Sequence, residues 1–271
     1  MQNSEKKYPA KLLLFGEYTV LHGGAALAMP YDKYSGYWRF LKAGESASYS
    51  LQPFIKYLHT VRFPEGTLDV IAFEKDVADG LIFDSTIPTG YGAGSSGSLC
   101  AAVWDRYGQG AVDVSALQAN FILMESFFHG KSSGLDPLVS YLDLPVLQKG
   151  NTIQVLGDFP IPKEIEVYDS GISRSTAPLV EWYRQEYAQN EAFKNQVLEV
   201  LLPQNTVAIL ALVAQESLTL KKAFKVISDW QFQYLGPLVP ESVRVDWMAA
   251  RKDGRFFKIC GAGGGGFYLV F

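Results

Sequence analysis

The chain has 271 residues, of which 48% are hydrophobic, enough for one large or two ordinary globular domains. Its 24 Lys and Arg residues against 28 Asp and Glu give a formal net charge of −4, so the overall charge offers no attraction for nucleic acid or an anionic membrane surface. Both cysteines, Cys100 and Cys260, lie in apolar segments, which favours reduced, buried thiols over a disulfide scaffold. The chain starts with a polar stretch and shows no run of about eighteen apolar residues. We therefore expect a cytoplasmic protein without a secretory signal or a membrane span.

Periodicity and turn residues predict a chain of mixed α and β structure. In the first part, strands are predicted at Lys11–Phe15, Tyr37–Phe40 and Gly80–Ile87, an amphipathic segment at Phe54–Val61, and helices at Leu99–Tyr107 and from Asp113 to Gly130. Strands follow near Pro145–Leu147, at Ile153–Leu156 and at Ile165–Val167. The last part predicts helices at Ala177–Ala188, Glu191–Leu202, Leu210–Ile227 and Glu241–Ala250, then strands at Arg255–Cys260 and Phe267–Phe271. Gly157, Pro160 and Pro162 interrupt the pattern and predict a domain boundary near residue 160.

A glycine-rich and serine-rich loop, Pro88–Ser98, joins a predicted strand to the start of a predicted helix. Its backbone N–H groups and the positive end of the helix dipole would stabilise an anion such as phosphate. Gly92, Gly94 and Gly97 also fit a dinucleotide-binding turn, but nearly ninety residues precede it instead of the first strand of such a fold. A Walker loop ending at Gly130–Ser132 is excluded because Glu125 occupies its earlier glycine position. The remaining alternative is a surface turn without a ligand.

Three charged residues lie in positions that call for an explanation. Glu125 falls in the apolar middle of a predicted helix, where a carboxylate needs a positively charged partner or a bound cation. Lys11 opens a strand and could be a surface end, and Asp136 precedes Pro137 and could be a turn residue. Neither His22 nor His129 is expected to act as a catalyst.

Four motifs occur in the order found in the GHMP kinases, the superfamily of galactokinase, homoserine, mevalonate and phosphomevalonate kinases, and the chain resembles this superfamily. The motifs are Pro9–Gly23, the phosphate loop Pro88–Ser96, the segment Ser133–Asp136 with Glu125 eleven residues before its aspartate, and the glycine run Lys258–Gly266. A softer match is Asp169–Thr176. The resemblance spans residues 9 to 266 and is nearest to the mevalonate kinases.

The resemblance implies a role for each matching residue. Asp136 would be the general base and Lys11 would stabilise the charge at the reacting centre, the two catalytic residues. Ser96 and Glu125 would bind Mg²⁺. ATP phosphates would be bound by Gly92, Ala93, Gly94, Ser95, Ser96 and Gly97. The acceptor would be bound by Glu17, Tyr18, His22, Thr176, Gly263 and Gly264.

The implied fold is the α+β, two-domain GHMP kinase architecture. A nucleotide-binding domain resembling ribosomal protein S5 domain 2 would cover residues 1–160, and a ferredoxin-like domain would cover residues 161–271. The implied function is ATP-dependent phosphorylation of a hydroxyl on a small acceptor, mevalonate, in the isoprenoid precursor pathway. Alternatives are a phosphomevalonate kinase, another GHMP kinase, or a non-catalytic nucleotide-binding member. The oligomeric state stays open, with a homodimer among the options.

The chain departs from the superfamily pattern at four positions. Ala10 replaces a glycine, Ala93 a leucine and Gly97 an alanine, while Tyr18 stands where mevalonate kinases commonly carry a histidine near the acceptor. The first three bear on the shape of the strand and loop, and the fourth bears on which acceptor is bound.

Overall fold

The structure, a computed structural model, describes residues 6–110, 112–157 and 160–271. The expectation of no secretory signal rests on the polar start of the chain, most of which lies outside the described residues. Two residues of the predicted boundary near Pro160 also lie outside them. The described chain forms two compact units. Unit 1 contains the residues up to Lys11, Met29–Pro88 and Gly94–Val146, and unit 2 contains Leu12–Ala28, Thr89–Ala93 and Leu147–Phe271.

The described residues form ten strands and ten α-helices. The strands are β1 (Tyr8–Phe15), β2 (Ala25–Phe40), β3 (Thr67–Leu68), β4 (Leu81–Ser85), β5 (Gly108–Gln109), β6 (Val146–Lys149), β7 (Thr152–Val155), β8 (Glu166–Asp169), β9 (Phe257–Ile259) and β10 (Phe267–Val270). The helices are α1 (Gln52–Leu58), α2 (Val70–Ala78), α3 (Ser95–Tyr107), α4 (Val114–His129), α5 (Leu135–Leu142), α6 (Thr176–Gln189), α7 (Glu191–Gln196), α8 (Leu202–Val213), α9 (Ser217–Tyr234) and α10 (Glu241–Lys252). The predicted mixture of α and β structure is therefore confirmed.

The strands form two main sheets. The larger has the order β1-β2-β6-β7, with β4 also paired to β2, and the smaller has the order β8-β10-β9. In the smaller sheet both pairings are antiparallel, and Tyr268 of β10 lies opposite Tyr168 and Ile259. All four residues of β10 are buried, which explains why its sequence is a continuous apolar run rather than an alternating one. The long strand β2 was predicted only at its end, because the short polar residues in its middle conceal the alternation.

Helix α3 forms the centre of unit 1. Its residues from Cys100 to Val103 have no exposed surface, and the small side chains there allow α4 and α5 to pack closely against it. Helix α4 begins where the sequence predicts, since the Asp113 carboxylate accepts a hydrogen bond from the Ala116 N–H at 2.8 Å. Cys100 and Cys260 are both free and buried, as expected from their apolar surroundings.

A continuous helical segment, Glu191–Val213, is longer than the sequence predicts. The predicted helix ended at Leu202, but a π-helical turn at Val197–Leu201 leads directly into α8, which has Pro203 in its first turn, where no intrahelical N–H bond is needed. By length and composition this segment could cross a membrane, a property that core helices of soluble proteins share. The segment is not an unbroken apolar run, because it contains polar residues such as Glu199 and Asn205, and the expectation of no membrane span stays a prediction.

A buried ion pair lies in unit 2. The Lys258 ammonium donates hydrogen bonds to Glu17 Oε1 at 2.5 Å and to the Ile259 carbonyl at 2.7 Å, and it lies 5.2 Å from the centre of the Phe15 ring. Neither Lys258 nor Glu17 has more than a trace of exposed surface. Burial raises the pKa of Glu17, and Lys258 opposes that shift. Each charge therefore depends on the other to remain in the interior.

Replacing Lys258 by Met should lower the free energy of unfolding by about 3–5 kcal/mol, because it leaves the Glu17 carboxylate buried without a counter-charge. Urea denaturation would measure this loss. The double variant Glu17→Gln/Lys258→Met should lose less, since no unpaired charge remains.

Lys225→Met is the matched control, because it breaks the exposed Lys225–Asp229 pair, whose N···O distance is 2.6 Å. That change should cost less than about 1 kcal/mol. Equal losses for Lys258→Met and Lys225→Met would contradict a structural role for the buried pair.

Candidate active site

Lys11 and Asp136, the two predicted catalytic residues, form an ion pair within unit 1. Lys11 Nζ lies 2.9 Å from Asp136 Oδ1. Lys11 projects from β1 and is 7% exposed, whereas Asp136 is the second residue of α5 and keeps about a quarter of its side chain exposed. The first turn of a helix favours a carboxylate, because its N–H groups carry partial positive charge. The pair therefore combines a fixed ammonium with a carboxylate that solvent can still reach.

The helix start at Gly94 lies beside this pair. Gly94 caps α3 in the left-handed conformation with φ 76°, and a β-carbon there would lie 3.1 Å from Lys11 Cγ and 3.6 Å from Asp136 Oδ2. The N–H groups of the first turn of α3 have no helical acceptor and can bind an anion. The helix start that the sequence predicted for Pro88–Ser98 is confirmed, and its first amides lie next to the Lys11–Asp136 pair.

Gly97 allows the first turn of α3 to touch the first turn of α5. A β-carbon on Gly97 would lie 2.8 Å from the Pro137 nitrogen and 2.9 Å from both the carbonyl carbon and the Cβ of Asp136. Those atoms are backbone or lie next to it, so they cannot rotate away. This contact explains why the chain has glycine where the superfamily usually has alanine.

Glu125 and Ser96, the predicted metal ligands, also come together in unit 1. Ser96 Oγ lies 3.4 Å from Glu125 Oε1, and Glu125 is 4% exposed. Burial and the nearby Asp136 carboxylate raise the pKa of Glu125 to about 8, while Ser132, Lys11 and Ser96 oppose the shift. A cation would relieve the crowding of these two acidic groups.

The donor set fits Mg²⁺ bound together with a nucleotide. Within the described residues, no group of three or more His, Cys, Asp or Glu side chains could hold a metal by itself. Mg²⁺ in nucleotide sites usually takes one or two protein oxygens and completes its shell with phosphates and water. A buried carboxylate beside a serine hydroxyl meets that requirement.

Two polar residues to which the sequence analysis assigned no role at the site contact this pair. The Ser132 hydroxyl donates a short hydrogen bond to Glu125 Oε2, and Ser132 Oγ accepts the Gly134 N–H at 2.9 Å. His129 Nε2 lies 2.9 Å from Ser96 Oγ. The four-residue spacing of Glu125 and His129, which places both on one helix face, was the signal that could have revealed the histidine.

In unit 2, Tyr18 and His22 surround Tyr183 of α6. The Tyr18 ring stacks on Tyr183 with centroids 4.1 Å apart, and its hydroxyl donates to the Ala262 carbonyl at 2.7 Å. His22 Nε2 lies 3.0 Å from the Tyr183 hydroxyl, and the His22 ring stacks on Tyr187 at 3.8 Å. Burial raises the pKa of Tyr18 and lowers that of His22. The carboxylate of Glu17, the neighbour of Tyr18, forms the buried ion pair with Lys258 described above.

The other predicted phosphate and acceptor residues of unit 2 lie in tight backbone turns or at a helix start. A β-carbon on Gly263 would lie 2.6 Å from the Leu238 carbonyl oxygen, and one on Gly264 would lie 2.7 Å from Leu179 Cδ1. Thr176 begins α6 and accepts a short hydrogen bond from Arg174. Gly92 has φ 67°, and a β-carbon on it would lie 2.5 Å from the guanidinium of Arg174. Its neighbour Ala93 is buried.

Known proteins of similar sequence and structure include kinases of small molecules. A mevalonate kinase from Pyrococcus abyssi is 25% identical to the chain, with 95% of this chain and 85% of the relative covered. The crystal structure of L. major mevalonate kinase in complex with R-mevalonate matches with a TM-score of 0.68 and 17% identity, covering 99% of this chain and 87% of that one. The chain is therefore similar in sequence to a mevalonate kinase over almost its whole length and shares the fold of the GHMP kinases.

A Streptococcus pneumoniae phosphomevalonate kinase in complex with phosphomevalonate and AMPPNP also shares the GHMP kinase fold, with a TM-score of 0.67, 16% identity and 98% and 91% of the two chains covered. No family model matches the chain. The α+β GHMP kinase fold that the motifs implied is thus confirmed. The domain limits and the roles of the single residues stay predictions.

Replacing Gly97 by Ala should lower the free energy of unfolding by about 1–3 kcal/mol, because the new methyl group must push α3 and α5 apart. Urea denaturation would measure the loss. The matched control is Gly157→Ala, since a β-carbon on Gly157 has no neighbour within 4 Å, and this variant should stay within about 0.5 kcal/mol of the parent. An unchanged midpoint for Gly97→Ala would show that the two helices can separate freely.

Proposed function

We propose that the protein is an ATP- and Mg²⁺-dependent kinase of a small molecule and that it transfers a phosphoryl group to a hydroxyl of mevalonate. The observation that carries the proposal is the Lys11–Asp136 pair, with 2.9 Å between Nζ and Oδ1, beside the free amides of a helix start. The similarity to a mevalonate kinase over almost the whole chain supports the choice of acceptor. The two cysteines of the protein, which are free and buried, favour a cytoplasmic location.

Asp136 is the general base of the proposed reaction. Its carboxylate accepts the proton of the acceptor hydroxyl while that oxygen forms a bond to the terminal phosphorus of ATP and the bond from this phosphorus to the bridging oxygen breaks. The products are ADP and the phosphorylated acceptor. Asp136 suits this role because it is part-exposed and therefore accessible to a hydroxyl, unlike the buried Glu125.

Lys11 and the first turn of α3 stabilise negative charge. The Lys11 ammonium is almost fully buried, so its interaction with reacting oxygen atoms is weakly screened by water. Backbone N–H groups of Gly94–Gly97, together with Gly92 and Ala93, would bind the phosphates. This assignment places the nucleotide on residues from the first 160 positions of the chain.

Ser96 and Glu125 are the residues that would hold Mg²⁺. When bound, the ion neutralises phosphate charge and orients the terminal phosphoryl group. Ser132 keeps one Glu125 oxygen in a fixed direction, which leaves Oε1 turned toward Ser96. Binding of the acceptor is assigned to Glu17, Tyr18, His22, Thr176, Gly263 and Gly264.

An acceptor screen tests the proposed substrate. The protein, ATP and Mg²⁺ are incubated with mevalonate, phosphomevalonate, homoserine or galactose, and ADP release is followed. Mevalonate should give the highest kcat/KM. If ADP release exceeds the no-acceptor background only with one of the other compounds, that compound is the acceptor. If ADP release stays at background with all four compounds, the proposed kinase activity on these acceptors is rejected.

Replacing Asp136 by Asn should lower kcat by about 10²–10⁴-fold, because the amide cannot accept the hydroxyl proton, while the affinity for ATP stays similar. Steady-state kinetics and calorimetric binding of AMPPNP would measure the two effects separately.

The matched control is Asp143→Asn, at the opposite end of α5, where the residue is exposed and has φ 53°. Asparagine tolerates this left-handed conformation as well as aspartate does, so kcat should not change. A kcat for Asp136→Asn equal to that of the control would exclude Asp136 as the base.

A further inference from the structure

Helix α4 directs two side chains to one serine hydroxyl. Glu125 and His129 are four residues apart and so lie on the same face of the helix. Ser96 Oγ, in the first turn of α3, lies 2.9 Å from His129 Nε2 and 3.4 Å from Glu125 Oε1. The first contact has ordinary hydrogen-bond length and the second is long for two oxygen atoms.

These contacts limit where the two serine hydroxyls can direct their protons. Ser132 Oγ accepts the Gly134 N–H, so its own proton is directed to Glu125 Oε2. Ser96 has a single proton and two possible acceptors, His129 Nε2 at 2.9 Å and Glu125 Oε1 at 3.4 Å, so it can donate to only one of them at a time. When that proton is directed to His129, Ser96 Oγ and Glu125 Oε1 face each other with lone pairs only.

We propose that His129 is a positioning residue for the divalent cation that accompanies the nucleotide, an inference that rests on the proposed function. Its Nε2 accepts a hydrogen bond from the Ser96 hydroxyl, which turns the Ser96 lone pairs toward Glu125. The two oxygens then form adjacent ligands, because neighbouring ligands of an octahedral Mg²⁺ with bonds near 2.1 Å lie about 3 Å apart.

The opposite arrangement would disable the pair. If His129 donated its proton to Ser96, the Ser96 hydroxyl would direct its own proton at Glu125 and place it where a cation must bind. Outer hydrogen bonds of this kind commonly determine how a ligand presents its lone pair to a metal ion. Because His129 is exposed and lies at the last position of α4, it can take this role without supporting the core.

The test compares His129→Leu with His129→Gln. Calorimetry measures the binding of AMPPNP in excess Mg²⁺ and in EDTA, and the ratio of the two affinities is the gain that the cation provides. The leucine side chain cannot accept a hydrogen bond, so the gain of His129→Leu should be about tenfold smaller than that of the parent. Its affinity in EDTA should equal the affinity of the parent in EDTA. In His129→Gln the amide oxygen can replace Nε2, so most of the gain should return.

His59→Leu is the matched control, because His59 is an exposed histidine just after the end of α1 that pairs with Glu74 at 3.1 Å. It should keep the full Mg²⁺ gain, and the thermal midpoint of His129→Leu without ligand should equal that of the parent.

The proposal is wrong if His129→Leu shows the same Mg²⁺ gain as the parent, or if its affinity for AMPPNP is lower than that of the parent in EDTA as well. It is also wrong if the parent binds AMPPNP equally well in Mg²⁺ and in EDTA. A parent that phosphorylates no acceptor but shows a gain that His129→Leu abolishes would reject the proposed function and support the role of His129.

Discussion

The close approach of α3 to α5 is the constraint on which the candidate site depends. With no side chain at Gly97, the first turns of the two helices touch within unit 1. Asp136 is held in one of these turns and Ser96 in the other, so their separation is set by backbone contact rather than by flexible side chains. Lys11 then completes the group from the neighbouring strand. One missing methyl group therefore positions residues that lie forty positions apart in sequence.

Charge balance within this group favours a bound cation. Two acidic side chains, Asp136 and Glu125, lie near a single ammonium, Lys11. The buried carboxyl responds with a raised pKa, the expected behaviour of a carboxyl group that lacks water and has a carboxylate as neighbour. Added positive charge favours the ionised form of both. A glutamate in an apolar helix, which has no structural advantage by itself, is then explained by the ion that it would hold.

Much of unit 1 could be predicted from sequence because its signals are local. The start of α4 follows from Asp113, and the start of α3 follows from the glycine loop. The prediction failed where tertiary contacts decide. Pro203 does not end its helix, because a preceding π turn places it in a first turn, and His129 gained importance only through a contact with Ser96, thirty-three positions earlier in sequence. The π turn leaves no periodic pattern, and the four-residue spacing of Glu125 and His129 does not by itself identify Ser96 as their shared contact.

Tyr18 illustrates how a substitution can change a residue's chemistry while preserving its place in the fold. Its hydroxyl donates its single proton to the Ala262 carbonyl, and its ring is covered by Tyr183. A group in this state can offer another molecule only an oxygen lone pair, whereas a histidine at the same position could donate from a ring nitrogen. Tyr18 also fixes the glycine turn that follows Cys260, since its hydrogen bond ends on the backbone of that turn. The tyrosine therefore strengthens the turn and narrows the range of acceptor groups that it could bind.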